Sequence, residues 1–347
     1  MIGTNIGIDL GTTSVIAFAE GRGIVLNEPA AVAYDKSGKV VGIGRKAYAM
    51  LEKNHGGIRV VKPMVNGVIS DFTATKHMVQ YFITKVCRNT VFKPNVIACV
   101  PSQVTGLEKR TILDLITSAG AGRACLIDEP LAAAMGAGLQ SDKPKGVAVV
   151  DIGGGTTDAA VITMGCTAVS RSSRSAGNAL DEAIIRQLKR ERDIIIGNKT
   201  AEMIKIKIGS ALLRDVELGL TAKGKNYITG MPVSFEISST EVYLAMRPVL
   251  EDIVETIRLM LEEAPPELAA DVLDSGIVLT GGGALLRNID KMIESKTRIK
   301  TRIAADPVNC VALGMGDAFK NMSVLEQNGY IFKARSELGG LDENRED

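Results

Sequence analysis

The sequence predicts an α/β protein made of two matching halves, each with a mixed sheet, around a central cleft. Three observations carry this. One short pattern occurs twice, as Ile6-Gly7-Ile8-Asp9-Leu10-Gly11-Thr12-Thr13-Ser14-Val15 and as Val149-Val150-Asp151-Ile152-Gly153-Gly154-Gly155-Thr156-Thr157-Asp158. Lys143-Pro144-Lys145-Gly146 reads as a boundary just before the second copy. Strand-like and helix-like segments are mixed on both sides of that boundary. Each copy is an apolar strand ending in Asp, then glycine, a Thr pair and another apolar run, which is a hairpin.

In chain order, residues 6–34 alternate short apolar runs with Gly turns and predict a three-strand meander. Residues 35–70 are rich in turn signals such as Ser37-Gly38 and Asn66-Gly67 and suggest a small inserted subdomain. Met78, Val79, Phe82, Ile83 and Val86 recur at helical spacing over Thr73–Arg88. Val96–Val100 is a strand, Glu108–Ala119 a helix ended by Gly120, and Cys125–Ile127 a short strand. Pro130 sits where a helix starts, and Leu131–Leu139 is an Ala-rich helix able to pack very closely. After the second hairpin, Asp181–Glu191 and Thr200–Leu213 are helical, and 221–240 alternates as strands. Val242–Glu262 is a long amphipathic helix stopped by Pro265-Pro266. Ile277–Leu279 is a strand, followed by Gly281-Gly282-Gly283 and a helix; Pro307 begins another helix through about Lys320. The charged, Gly-rich tail from about Ala334 is expected to be disordered.

Two facing hairpins of this kind suit a polyphosphate. Glycine lets backbone N–H groups approach a ligand closely, and successive N–H groups in a turn form an anion-binding concavity. Thr hydroxyls add donors. Asp9 and Asp151 oppose phosphate unless a cation stands between, and magnesium, which keeps most of its waters, suits that place. The plainer reading of each Asp is a turn cap. Thr280-Gly281-Gly282-Gly283 has the form of a turn that lies against a ribose or base, or of a simple helix cap. Glu129, before Pro130, either orients a water for attack on a terminal phosphate or complements a helix dipole. Glu202 and Lys205 share a helix face and by themselves read as a surface ion pair.

Composition excludes several classes. With Lys+Arg 41 against Asp+Glu 40, the net charge is +1, which speaks against a broad nucleic-acid footprint. Trp is absent and aromatics are 4%, so a base-stacking platform is not expected. Cys87, Cys99, Cys125, Cys166 and Cys310 are scattered without a CxxC and read as small apolar residues in a reducing compartment. Only His55 and His77 are available to a His-based metal centre. No apolar run approaches transmembrane length, and a cytoplasmic protein is expected.

Taken together, the two Asp hairpins, the Glu129-Pro130 helix start and the third glycine loop resemble the nucleotide site shared by actin, the 70-kilodalton heat-shock chaperones and sugar kinases. The chain is most similar to bacterial actins of the MreB and Mbl type, over about residues 5–320. Arg59-Val60-Val61-Lys62-Pro63-Met64, Gly67-Val68-Ile69-Ser70-Asp71, Gly197-Asn198-Lys199-Thr200-Ala201-Glu202 and Pro265-Pro266-Glu267-Leu268-Ala269 carry this resemblance, as does the run from Ile277 to Asn288. Thr13-Ser14 stands where that family usually has Ala-Asn or Ser-Asn, and Asp158 where it usually has Glu.

The resemblance implies an actin-like ATPase fold, two duplicated RNase H-like halves around a nucleotide cleft. The first half would comprise 1–34 and 71–144, with a helix from 307–330 packing back on it, and the second 145–180 and 241–306. Small subdomains would be inserted at 35–70 and 181–240, and 334–347 would be a disordered tail. It implies ATP and Mg2+ as cofactors. Gly11, Thr12, Thr13 and Ser14 would form one phosphate loop and Gly153, Gly154, Gly155 and Thr156 the other. Asp9 and Asp151 would hold magnesium largely through water. Glu129 and Thr156 would position the attacking water, and Glu202 and Lys205 would border adenine and ribose opposite Gly282, Gly283 and Ala284. Val91 and Phe92, on a loop beside Arg88 and Lys93, would touch the inner face of the cytoplasmic membrane. The implied function is a membrane-associated filament, a homopolymer with slow ATPase activity that works with cell-wall elongation membrane proteins to maintain cell shape. The alternative on the same fold is a chaperone-type ATPase or a sugar or acetate kinase, and fold alone does not separate these.

Overall fold

In the computed structural model of the protein, residues 4–51, 57–87 and 92–338 are described. The first half opens with the expected meander, β1 (Asn5–Leu10), β2 (Ser14–Ala19) and β3 (Gly23–Pro29). A small sheet of β4 (Val32–Tyr34), β5 (Val40–Ile43) and β6 (Arg59–Val61) follows, with α1 (Arg45–Met50) against it. A two-stranded hairpin, β7 (Met64–Val65) and β8 (Val68–Ile69), leads to α2 (Phe72–Val86). Asp71 caps α2, its carboxylate accepting from Ala74 N at 2.9 Å. Then come β9 (Asn95–Val100), α3 (Gly106–Ser118), β10 (Arg123–Asp128) and α4 (Glu129–Gly136). Thr105 and Glu108 close a capping box at α3.

The second half repeats the plan. Its meander is β11 (Val147–Ile152), β12 (Thr157–Thr163) and β13 (Cys166–Ser173), followed by α5 (Gly177–Arg192). A second small sheet, β14 (Ile194–Ile195), β15 (Gly219–Asn226) and β16 (Pro232–Ser238), lies near α6 (Asn198–Ile208). The long helix α7 (Ser239–Glu263) is capped by Ser238 and Glu241, and α8 (Pro266–Ser275) starts at the second proline. Then follow β17 (Ile277–Thr280), α9 (Ile289–Thr297), β18 (Thr301–Ile303), α10 (Cys310–Lys320), α11 (Met322–Gln327), β19 (Lys333–Ala334) and α12 (Arg335–Leu338).

The duplication is explicit in the sheets. One runs β19-β10-β9-β1-β2-β3 and the other β13-β12-β11-β17-β18. In each, an antiparallel meander is followed across the sheet by two further strands parallel to its first strand. Side chains alternate faces along a strand, and this sorts the residues. Ile6, Ile8 and Leu10 of β1 join the core under α2 and α3, while Ala148, Val150 and Ile152 of β11 join the core under α5 and α7. The opposite, inner faces meet a third core, built from Ile16, Ile97, Val149 and Ile162 around the Ala-rich α4 and α10. These two helices lie so close that a Cβ at Gly136 or Gly314 would overlap the other helix's backbone. Asp9 and Asp151 therefore stand on the two inner faces, each near the C-terminal end of its strand.

Several expectations need correction. Helix α6 ends at Ile208, with Gly209 as its cap, and does not continue to Leu213. The glycine triplet leads into a single 3-10 turn, Gly282–Leu285, before α9. Pro307 lies outside α10, which begins at Cys310. The tail expected to be disordered from Ala334 is ordered at its start: Lys333 and Ala334 pair with β10, and Leu338 is buried. The rest of that segment, 339–347, lies outside the described residues.

Candidate functional site

The two hairpin turns meet tip to tip. Gly154 and Gly155 of the second turn lie directly against Thr13 and Thr12 of the first, so that a Cβ on either glycine would overlap the facing hydroxyl. Only glycine permits this approach. The second turn is braced from behind by the start of α5, where Gly177 N–H donates to Gly153 O at 3.1 Å and Asn178 N–H to Gly154 O at 2.8 Å. Beside the joined turns a cavity of about 700 Å³ opens between the halves. That volume suits a ligand of nucleotide size.

Most residues singled out in the sequence line this cavity: Asp9, Gly11, Thr12, Thr13, Ser14, Glu129, Asp151, Gly153, Gly154, Gly155, Thr156, Glu202, Lys205, Gly282 and Gly283. Ala284 does not. It is fully buried in the core of the second half, because the 3-10 turn directs it inward, and Leu285, Leu286 and Arg287 line the wall in its place. Lys205 does not pair with Glu202. Its ammonium lies 2.9 Å from Asp181 Oδ1 and donates to Gly177 O at 2.8 Å. The Asp181 contact is close as a charge pair but is not aligned as a hydrogen bond. Val91 lies outside the described residues, while Phe92 is described and is half exposed.

The carboxylates set the electrostatics. Asp9 keeps access to the cavity yet is enclosed by protein; burial, and secondarily Asp151, push it up to about 7. Asp151 is raised by burial, opposed by the Thr280 hydroxyl, which donates to its Oδ1 at 2.7 Å. Asp158 stands opposite Asp151 across β11 and β12. It is 1% exposed, and neither carboxylate oxygen has a hydrogen-bond partner. Burial pushes it up to about 6, moderated by the nearby hydroxyls of Ser172 and Thr156, which do not reach it in bonding geometry. Glu129, first residue of α4, is held well above the usual carboxylate range by burial, then by Asp158, Asp9, Asp151 and Asp128.

Such a cluster calls for positive charge. Among the described residues, no group of three or more acidic, His or Cys side chains converges to hold a metal directly. Asp9 and Asp151, one from each half on the cavity wall, are carboxylates of the kind that suits a magnesium ion keeping most of its waters.

Sequence reasoning missed Gly67, Gly177, Asn178, Asp181, Arg214 and Arg287, all of which line the cavity. A signal existed for the α5 start: Ala176-Gly177-Asn178 follows a strand and opens a helix, a known anion-binding arrangement. Asp181 and the arginines carry no such local mark.

Comparison with known proteins agrees with this geometry. The family model described as MreB/Mbl protein matches residues 3–327. The chain is 40% identical over 327 residues to the cell shape-determining protein Mbl of Bacillus subtilis (strain 168), covering 94% of this chain and 98% of that one. It is 43% identical over 327 residues to the cell shape-determining protein MreB of Escherichia coli (strain K12), covering 92% and 94%. Among solved structures, MreB 5 of Spiroplasma citri bound to AMPPNP superposes with a TM-score of 0.89 at 37% identity, covering 95% of this chain and 99% of that one. The MamK double helical filament, at 20% identity and a TM-score of 0.77, shares the fold. With its duplicated halves, interlocked Asp–Gly turns and full-length likeness, the chain has the actin-like ATPase fold and belongs to the MreB/Mbl family.

Proposed function

We propose that this chain is an ATP-dependent actin-like filament protein of the bacterial cell-shape system, attached peripherally to the cytoplasmic membrane beside cell-wall elongation membrane proteins. The observation that carries the reading is the pair of hairpin turns locked tip to tip, Thr12 and Thr13 against Gly155 and Gly154, at one end of the cavity. The named relatives determine cell shape, and the MreB 5 neighbour binds AMPPNP or ADP in its two structures.

The N–H groups and hydroxyls of both turns would hold the phosphates. Asp9 and Asp151 would hold hydrated Mg2+, which supplies charge neutralisation for the phosphate oxygens. Glu129 would accept a proton from the attacking water. Its place as first residue of α4, on the cavity wall with Asp9 and Asp151, supports that role. Thr156 would orient the same water. Glu202 and the tethered Lys205 would border the adenosine, with Gly282 and Gly283 opposite. Because each half contributes one turn, bound ATP draws the halves together and aligns the subunit ends for head-to-tail contact. Such contacts generate open filaments.

Light scattering and electron microscopy at rising protein concentration, with Mg-ATP or Mg-ADP, test the assignment. Scattering and filaments are expected with ATP. A protein that binds ATP and stays monomeric at every concentration defeats the filament reading. Membrane attachment is proposed through Phe92, exposed beside Lys93. One small apolar loop binds weakly, at about 0.8 kcal/mol per buried CH₂, so a filament must multiply it. Phe92→Ser is expected to lower co-pelleting with anionic liposomes under filament-forming conditions, and unchanged pelleting would refute this anchor.

A further inference from the structure

Asp128 does not line the cavity, yet it is tied to three distant parts of the chain. It is the cap residue of α4, directly before Glu129, and a carboxylate there ordinarily accepts from the first turn of its own helix. Asp128 makes no such bond. Its Oδ2 accepts instead from the Tyr330 hydroxyl at 3.0 Å and from Thr167 Oγ1 at 3.3 Å. Its Oδ1 lies 3.8 Å from Lys109 Nζ on α3.

Lys109 belongs to the first half, and Thr167, on β13, to the second. Tyr330 belongs to the segment between α11 and β19, which runs past residue 327, where the family match ends. That segment straps the two halves together. Asn328 Nδ2 donates to Met164 O at 3.0 Å, in the turn between β12 and β13. The guanidinium of Arg123, first residue of β10, donates to Phe332 O at 2.7 Å, and Lys333 and Ala334 pair with Ala124 and Arg123. Phe332 stacks on Phe319 of α10, with ring centroids 6.2 Å apart. The strap is thus anchored on both sides of Tyr330.

The chemistry favours a lasting bond. A hydrogen bond to a charged acceptor is worth more than one between neutral groups. Burial, then Asp128, hold the Tyr330 phenol well above its ordinary range, so it keeps its proton and remains a donor near neutral pH. Tyr330 and Thr167 together keep the Asp128 carboxylate off the first turn of α4. Glu129 is the next residue, so the same pull sets the backbone from which Glu129 enters the cavity wall.

We propose that Tyr330 is a positioning residue for ATP hydrolysis: through Asp128 it fixes the start of α4, and with it the approach of Glu129 to the attacking water. This rests on the nucleotide reading above.

Tyr330→Phe removes the hydroxyl and keeps the ring. Phosphate release at saturating Mg-ATP is expected to slow about tenfold, while affinity for a non-hydrolysable ATP analogue changes less than about twofold. A general loss of packing would move both, and would do so whatever residue stands at 129. The deciding measurement is therefore the same substitution in a Glu129→Ala background, by single-turnover hydrolysis. There Tyr330→Phe is expected to have no further effect, because the group it positions is gone. Thr167→Val removes the other donor to the same oxygen. It is expected to slow release about threefold, again only with Glu129 present, and it carries the test should Tyr330→Phe not fold. Wild-type turnover in Tyr330→Phe, parallel loss of turnover and affinity in the folded variant, or an equal loss with and without Glu129 overturns the proposal. If Glu129→Ala itself hydrolyses ATP at the wild-type rate, the reading of Glu129 fails. A slowed Glu129→Ala beside an unaffected Tyr330→Phe defeats this inference alone.

Discussion

The two Asp–Gly hairpins began as one pattern, yet they have taken opposite parts. The first turn presents hydroxyls, Thr12 and Thr13; the second presents bare backbone, Gly154 and Gly155, into which those hydroxyls fit. Their aspartates differ as well. Asp9 opens to the cavity and carries no hydrogen bond among those described, whereas Asp151 is buried and pinned by Thr280. The second turn is braced by α5, while the first rests on Gly67. Duplication supplies the geometry of a clamp, but two identical turns would collide. Small residues on one side and hydroxyls on the other let both approach one ligand.

The strongest way to break this complementarity is to give the second turn a side chain. Gly154→Val should collide with Thr13 and fill the phosphate concavity. Mg-ATP binding is expected to fall by about 100-fold or more, equivalent to about 3 kcal/mol, as read by calorimetry. Retained affinity would mean that the turns do not form the site.

Glu129→Ala tests the chemistry rather than the clamp. Removing a group that acts on the attacking water should lower turnover about 10²–10⁴-fold, with analogue affinity changed only severalfold, and filaments should persist longer. Equal losses in binding and turnover would reduce Glu129 to a helix-start residue.

A smaller effect sharpens the contrast between the aspartates. Asp9 has a native pKa of about 7 against an ordinary 3.8, so between those values the folded protein holds more protons than the unfolded chain. Stability contributed by protonated Asp9 is full below the ordinary value and is lost as pH rises through about 7. Asp158, raised to about 6, acts with the same sign. The melting temperature of the nucleotide-free protein is therefore expected to fall by several degrees between about pH 5 and pH 8. Mg-ATP should recover much of the loss, and Asp9→Asn should flatten the profile. A nucleotide-free protein equally stable across that range would contradict the assignment.

The sequence by itself determined the repeated hairpins, the main strands and longer helices of both halves, and about half of the cavity wall. These are short-range matters: period-2 and helical patterns, glycine turns and a proline at a helix start act within a few residues. Even the close packing of α4 was legible, since Ala132, Ala133 and Ala134 leave little bulk between helices.

The tertiary structure alone decided which distant groups meet. Lys205 chose Asp181 over Glu202, its neighbour one helical turn away, because α5 and α6 bring their facing sides together beside Gly177. Ala284 turned inward because the residues after the glycines wind as a tight 3-10 turn. Asn66-Gly67 read in the sequence only as a turn signal, and it is the packing of its hairpin, tied at the stem to Pro63 and α2, that sets Gly67 N–H against Thr12 Oγ1. Such meetings depend on how whole elements pack across the cleft, and no local window of sequence contains that information.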